Sequence, residues 1–158
     1  MTVKDLVFLK QLSFEKSPWH SVRNALKDIT DKEFFWVPNN HKGFEWMNGS
    51  ICDVVYHLAG DILVQLSGAF GGGEIRWENV IELIPKNNME NMLFSLKESH
   101  EKYLDCLNTF DDEKLQEDVV TSWGQTMKAK DLFIMLIEHD YYHAGQIRYI
   151  RNVFPHGS

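Results

Sequence analysis

Apolar positions recur at three- and four-residue spacing over most of the chain, the pattern of helices that each bury one face. Residues 3–16 carry Val3, Leu6, Val7, Leu9, Lys10 and Phe14 in a loose helical pattern that stops before Ser17-Pro18. Ser17 as N-cap and Pro18 at the first helical position predict a restart through Leu26. Residues 30–49 hold Phe34, Phe35, Trp36, Phe44 and Trp46 around a Pro38-Asn39-Asn40 turn, which predicts a loop or a single helical turn packing aromatics on the core. Ser50, with Asp53 three residues on, opens a helix over 51–70 that Gly71-Gly72-Gly73 stops. Asn87 or Asn88 caps a third long helix, in which Met89, Met92, Leu93, Leu96, Tyr103, Leu104 and Leu107 share a face until about Phe110. Val119-Val120-Thr121 before Gly124 predicts a short hairpin or an extended lead-in, and residues 128–152 return to helix ahead of Pro155. Four principal helices predict an all-α fold, a four-helix bundle with aromatic-rich connecting loops.

Length and charge narrow what such a bundle does. At 158 residues the chain reads as one domain over 1–158, long enough to bury a core without disulfide staples. Its formal charge of −7, with no local run of Lys or Arg, argues against nucleic acid and anionic membranes as partners. Lys4, Asp5 and Lys10 interrupt the N-terminal stretch before it reaches signal-peptide length, and the longest apolar run, 132–137, is far below the roughly 18 residues of a membrane span. Cys52 and Cys106 form no paired motif. A cytoplasmic protein with reduced, buried cysteines is expected.

Two histidines of the last helix require more than packing. His139 and His143 are four residues apart, about 40° around a helix, and Leu132, Met135, Leu136, Gln146, Ile150 and Val153 fall within about 60° of His139. Both imidazoles therefore sit within the apolar stripe, where each must satisfy two ring nitrogens. A hydrogen bond from each ring to a backbone carbonyl or an acid of a neighbouring helix would meet that need singly, and one divalent ion shared by the pair would take up a nitrogen from each. The stretch His139-Asp140-Tyr141-Tyr142-His143 has the outline of a zinc-protease motif, but aspartate is a methylene shorter than the base that chemistry needs. Downstream, neither a spaced glutamate nor a core-facing histidine offers a third ligand, since His156 lies beyond Pro155.

A third ligand must come from upstream, where His41 falls in a loop and His20 on a poorly patterned helix. His57 and His100 remain. His57 belongs to a polar strip, Asp53-His57-Asp61, on an otherwise apolar helix, and either carboxylate could orient its imidazole. His100 lies in line with Leu93, Leu96, Tyr103 and Leu107 and also faces the core.

The segment Tyr56-His57-Leu58-Ala59-Gly60, the aromatic loop before it, and Glu138-His139-Asp140-Tyr141-Tyr142-His143-Ala144-Gly145-Gln146-Ile147 resemble the DinB-like family of bacterial four-helix metalloproteins over essentially the whole chain. The resemblance implies a divalent metal, Zn, Ni, Mn or Fe, held by His57, His139 and His143, and leaves His100 to packing or hydrogen bonding. It further implies an enzyme using a low-molecular-weight thiol such as bacillithiol or mycothiol, of S-transferase or isomerase type, on a small-molecule substrate. A non-catalytic stress-related metal-binding protein and a metal-dependent hydrolase are the alternatives; the latter would draw a base from Asp53, Asp61, Glu138 or Asp140. Gln146 is a candidate for positioning substrate or a ligand water, against an interhelical hydrogen bond, and Trp36, Trp46 and Trp123 are candidates for a pocket mouth. A homodimer is expected from the family, and Ile134, Ile137 and Tyr141, turned away from the histidines, predict a second apolar patch buried by loops or by a partner.

Overall fold

Local capping sets the element boundaries in the computed structural model, which describes residues 1–39 and 47–155. Thr2 and Asp5 form a capping box at the start of α1 (Val3–Gln11), which runs on into a π turn at Leu12–Lys16. The second start lies at Ser21, not Ser17. Ser17 spends its hydroxyl on the backbone N–H groups of Trp19 and His20, closing a turn, and Ser21 caps the short α2 (Val22–Ala25) through Asn24 N. Thr30 and Glu33 box the single-turn α3 (Asp31–Phe35). Ser50 caps α4 (Ile51–Phe70) through Asp53 N, and Asn88 caps α6 (Met89–Leu107). Between them lies α5 (Trp77–Leu83), which the hydrophobic pattern does not announce. A 3₁₀ turn at Lys114–Gln116 leads to a two-stranded antiparallel hairpin, β1 (Asp118–Val120) and β2 (Thr126–Lys128), with Val119 opposite Met127. The final helix, α7, spans Ala129–Val153.

The four long helices, α1, α4, α6 and α7, form the bundle, with α4 at its centre. Ile51, Val54, Val55, Leu58 and Ala59 are buried against Leu96, Ile147 and Ile150 in one apolar cluster. A second cluster joins Ile62 to Leu6, Tyr103, Leu107, Phe133 and Leu136. Ile137 is buried in that second cluster and Ile134 packs on it, so this chain covers most of the patch expected on the back of α7. Tyr141 stays 38% exposed. Gly68 lets the hairpin turn close on α4, since a Cβ there would lie 3.1 Å from the Ser122 Cα. Among the described residues, no helix is long and apolar enough to cross a membrane.

One polar contact crosses the apolar interior between α1 and α7. Lys10, fully buried, places Nζ 2.7 Å from Asp140 Oδ2, and Ser13 donates to the same oxygen at 2.6 Å. The π turn carries Ser13, and its slipped ladder is marked by the Ser17 N to Leu12 O bond of 3.2 Å.

Candidate metal centre

The middle of α4 and the middle of α7 cross where His57 meets His139 and His143. His57 Nε2 and His143 Nε2 lie 3.0 and 2.9 Å from His139 Nε2. All three ligand atoms fall within 4.8 Å of one another, and this is the one cluster of its kind among the described residues. Two donors sharing an ion at about 2.0–2.1 Å stand about 2.8–3.4 Å apart for bond angles between octahedral and tetrahedral. The separations of 3.0 and 2.9 Å lie inside that interval.

The partners of the other ring nitrogens fix where the lone pairs point. His143 Nδ1 donates to Gln146 Oε1 at 2.7 Å, which leaves its Nε2 a bare acceptor. Asp61 Oδ2 stands 3.3 Å from His139 Nδ1 and favours the same tautomer there. Two imidazole lone pairs then face each other at 2.9 Å, an arrangement that calls for a cation between them. A proton is a poor candidate. Burial, reinforced by repulsion from His139 and His143, lowers the His57 pKa to about 3, and burial with His139 lowers that of His143 to about 4. Burial also lowers His139. Neutral, converging imidazoles are the donor set that a divalent ion takes, so His57, His139 and His143 could hold one.

Behind these rings runs a chain of hydrogen bonds that was not foreseen from the sequence. Ser122 Oγ donates to Gln65 Oε1 (2.9 Å), and Gln65 Nε2 donates to Asp61 Oδ1 (3.0 Å), so the hairpin turn anchors the carboxylate beside His139. Asp61 thus serves His139 rather than His57. Asp53 serves neither: its carboxylate accepts from Asn48 N and from Lys86 Nζ, each at 2.7 Å. Gln146, a candidate for handling substrate, turns its oxygen to His143.

Trp77 of α5 stacks on the His57 ring, with centroids 5.4 Å apart and planes at 7°. The mid-helix glycine of the Tyr56–Gly60 segment is the signal that could have revealed it, because such glycines often mark a close approach. A Cβ on Gly60 would come within 2.8 Å of Trp77 Cζ3 and 2.9 Å of Val80 Cγ1. Gly60→Ala gains about 1 kcal/mol of helix propensity but incurs about 1–3 kcal/mol of overpacking. A small net loss in urea stability is expected, together with a changed near-ultraviolet dichroism as Trp77 leaves His57. Retention of the native aromatic signal would count against the tight fit.

The other candidates lie elsewhere. His100 is 3% exposed on α6, stacks on Phe14 at 3.9 Å and has no hydrogen-bond partner for either nitrogen among the described residues. His20 is exposed in the turn before α2, while His41, Trp46 and His156 lie outside the described residues. Trp36 packs edge-on against Phe154, and Trp123, half exposed, donates to Gln125; neither touches the histidines. Asp140 is tied to Lys10 and Ser13, and Glu138 faces solvent.

The sequence profile of the DinB superfamily matches residues 16–147, a span that takes in α4, α6 and all three converging histidines. The chain belongs to the DinB superfamily. No curated protein and no solved structure gives a significant match. DinB membership agrees with the helical bundle described above and with the family named from the two histidine segments.

The buried imidazoles of this DinB protein also set its acid sensitivity. An unfolded histidine takes a proton near its ordinary 6.5, whereas burial holds His57 and His100 unprotonated to about 3 and His143 to about 4. Between these values the unfolded chain binds more protons, so acid favours unfolding. Burial raises the Asp61 carboxyl and acts in the opposite sense, but it is one group against several. Stability of the metal-free protein is therefore full above pH 6.5 and falls as pH drops toward 4. Urea midpoints across that range test this, and a flat profile would contradict it.

Proposed function

We propose that His57, His139 and His143 bind one divalent ion, and that the protein is a metal-dependent enzyme coupling a low-molecular-weight thiol to a small electrophile, or isomerising one through a thiol adduct. The convergence of Nε2 lone pairs at 2.9 and 3.0 Å carries the metal reading. When bound, such an ion supplies Lewis acidity that favours the deprotonated form of a thiol or a water.

The thiol reading is supported by what surrounds the histidines among the described residues. Cys52 sits in the core with its Sγ 3.6 Å from Met92 Sδ, and burial, with the Asp53 charge, raises its pKa to about 11. That thiol is no nucleophile at neutral pH. Asp61 is occupied by Gln65 and His139, and Asp140 by Lys10 and Ser13, which leaves a hydrolase without a ready base. A nucleophile brought in by the ligand itself removes both needs. Gln146 and Asp61 hold two of the imidazoles in register, Trp77 covers His57, and the His139 side chain remains 20% exposed.

The test combines elemental analysis with a thiol panel of cysteine, bacillithiol and mycothiol, using chlorodinitrobenzene as electrophile. Turnover that a chelator abolishes and one divalent metal restores supports the enzyme. Metal removal that lowers thermal stability while no thiol ever turns over would point to an ion that only stabilises the bundle.

A further inference from the structure

Trp77 faces two ways. Besides stacking on His57, it lines a cleft of about 430 Å³ between α4, the loop before α5 and the hairpin. Val64, Ile75 and Val120 add apolar lining, Ser122 lies on the hairpin side, and Arg76 and Glu78 also line it. Two of these residues lead back to the histidines: Trp77 directly to His57, and Ser122 through Gln65 and Asp61 to His139. Arg76 gives its Nε to Gly73 O at 3.4 Å and makes no ion pair among the described residues. A guanidinium without a carboxylate partner, in a chain of net charge −7, presents a planar fork to an incoming acid.

We propose that this cleft binds a small organic acid, a carboxylate at Arg76 with its apolar body against Trp77, Val64 and Val120, and holds it beside the three histidines. Binding depends on the cleft alone; its service to an ion rests on the metal reading above.

Chelator-stripped protein separates the two. Hydrocinnamate is expected to shift the Trp77 indole N–H resonance saturably, that resonance being assigned by its loss in Trp77→Phe. Neutral hydrocinnamamide should bind about tenfold more weakly, the worth of one charge-assisted contact. Arg76→Met removes this preference, and Glu78→Gln, by removing a negative charge that repels an incoming carboxylate, strengthens hydrocinnamate binding. Equal binding of acid and amide, a Trp77 resonance that neither ligand moves, or a preference that survives Arg76→Met overturns the site. Zinc loading should then change hydrocinnamate affinity by about twofold or more, since coupling between neighbouring sites is reciprocal. An unchanged affinity in protein that elemental analysis finds loaded overturns the placement beside the ion. Failure to take up zinc overturns the metal reading and leaves the cleft result standing.

Discussion

Asp140→Ala is expected to lower the free energy of unfolding by about 3–5 kcal/mol, the loss typical when one partner of a buried ion pair is removed. Lys10 is fully buried, and its ammonium has the Asp140 carboxylate at 2.7 Å and the Leu136 carbonyl at 3.5 Å. Burial drives the Lys10 pKa down, and the Asp140 charge opposes that. Without the carboxylate the ammonium must shed its proton or stay charged in an apolar interior, and Ser13 keeps only its bond to the Lys10 carbonyl. The penalty comes from the stranded charge rather than from the worth of the pair. For that reason the double variant Lys10→Met/Asp140→Leu, which removes both charges together, should recover most of the loss. Urea unfolding of the three proteins decides it. A cost below about 1 kcal/mol for Asp140→Ala would place the pair with solvent-screened surface contacts and refute its interior role.

That pair also marks where sequence reading stops. The bounds of α4 and the start of α6 were legible because their signals are local: Ser50 and Asn88 accept from N–H groups three residues on, and a glycine run ends α4. The stripe holding His139 and His143 and the polar strip holding His57 were likewise readable from helical rotation. Lys10 occupies a core-facing place in the α1 pattern, one turn after Leu6, but its partner lies 130 residues away and no periodicity names it. The same limit applies to Trp77, whose stacking on His57 depends on where a seven-residue helix docks against Gly60. Ser17 and Ser21 are both competent caps. The choice between them turned on which hydroxyl the intervening turn consumed. The polar strip on α4 offers Asp53 or Asp61 to His57, whereas Asp61 Oδ2 stands 3.3 Å from His139 Nδ1, because the crossing of α4 and α7 cannot be read from either helix alone.

Single substitutions around the histidines should separate into two classes by metal affinity. His139→Ala is expected to abolish stoichiometric divalent metal, with His57→Ala and His143→Ala close behind, because His139 Nε2 is the atom within 3.0 Å of both other donors. Removing it leaves two imidazoles, His57 on α4 and His143 on α7, to hold the ion alone. Gln146→Leu and Asp61→Leu keep all three donors but release the nitrogens that fix their tautomers, and loss of such an outer partner costs about 10–100-fold in affinity. Gln65→Leu acts one bond further out, freeing Asp61 from the hairpin, and should cost less than Asp61→Leu while moving in the same direction. Competition titration against a chromophoric chelator, with far-ultraviolet dichroism to verify that each variant is folded, gives the order. If all three alanine variants retain native metal, the ion sits elsewhere. If Gln146→Leu binds as tightly as the native protein, the His143 tautomer is not set by Gln146, and His143 Nε2 need not present a lone pair to His139.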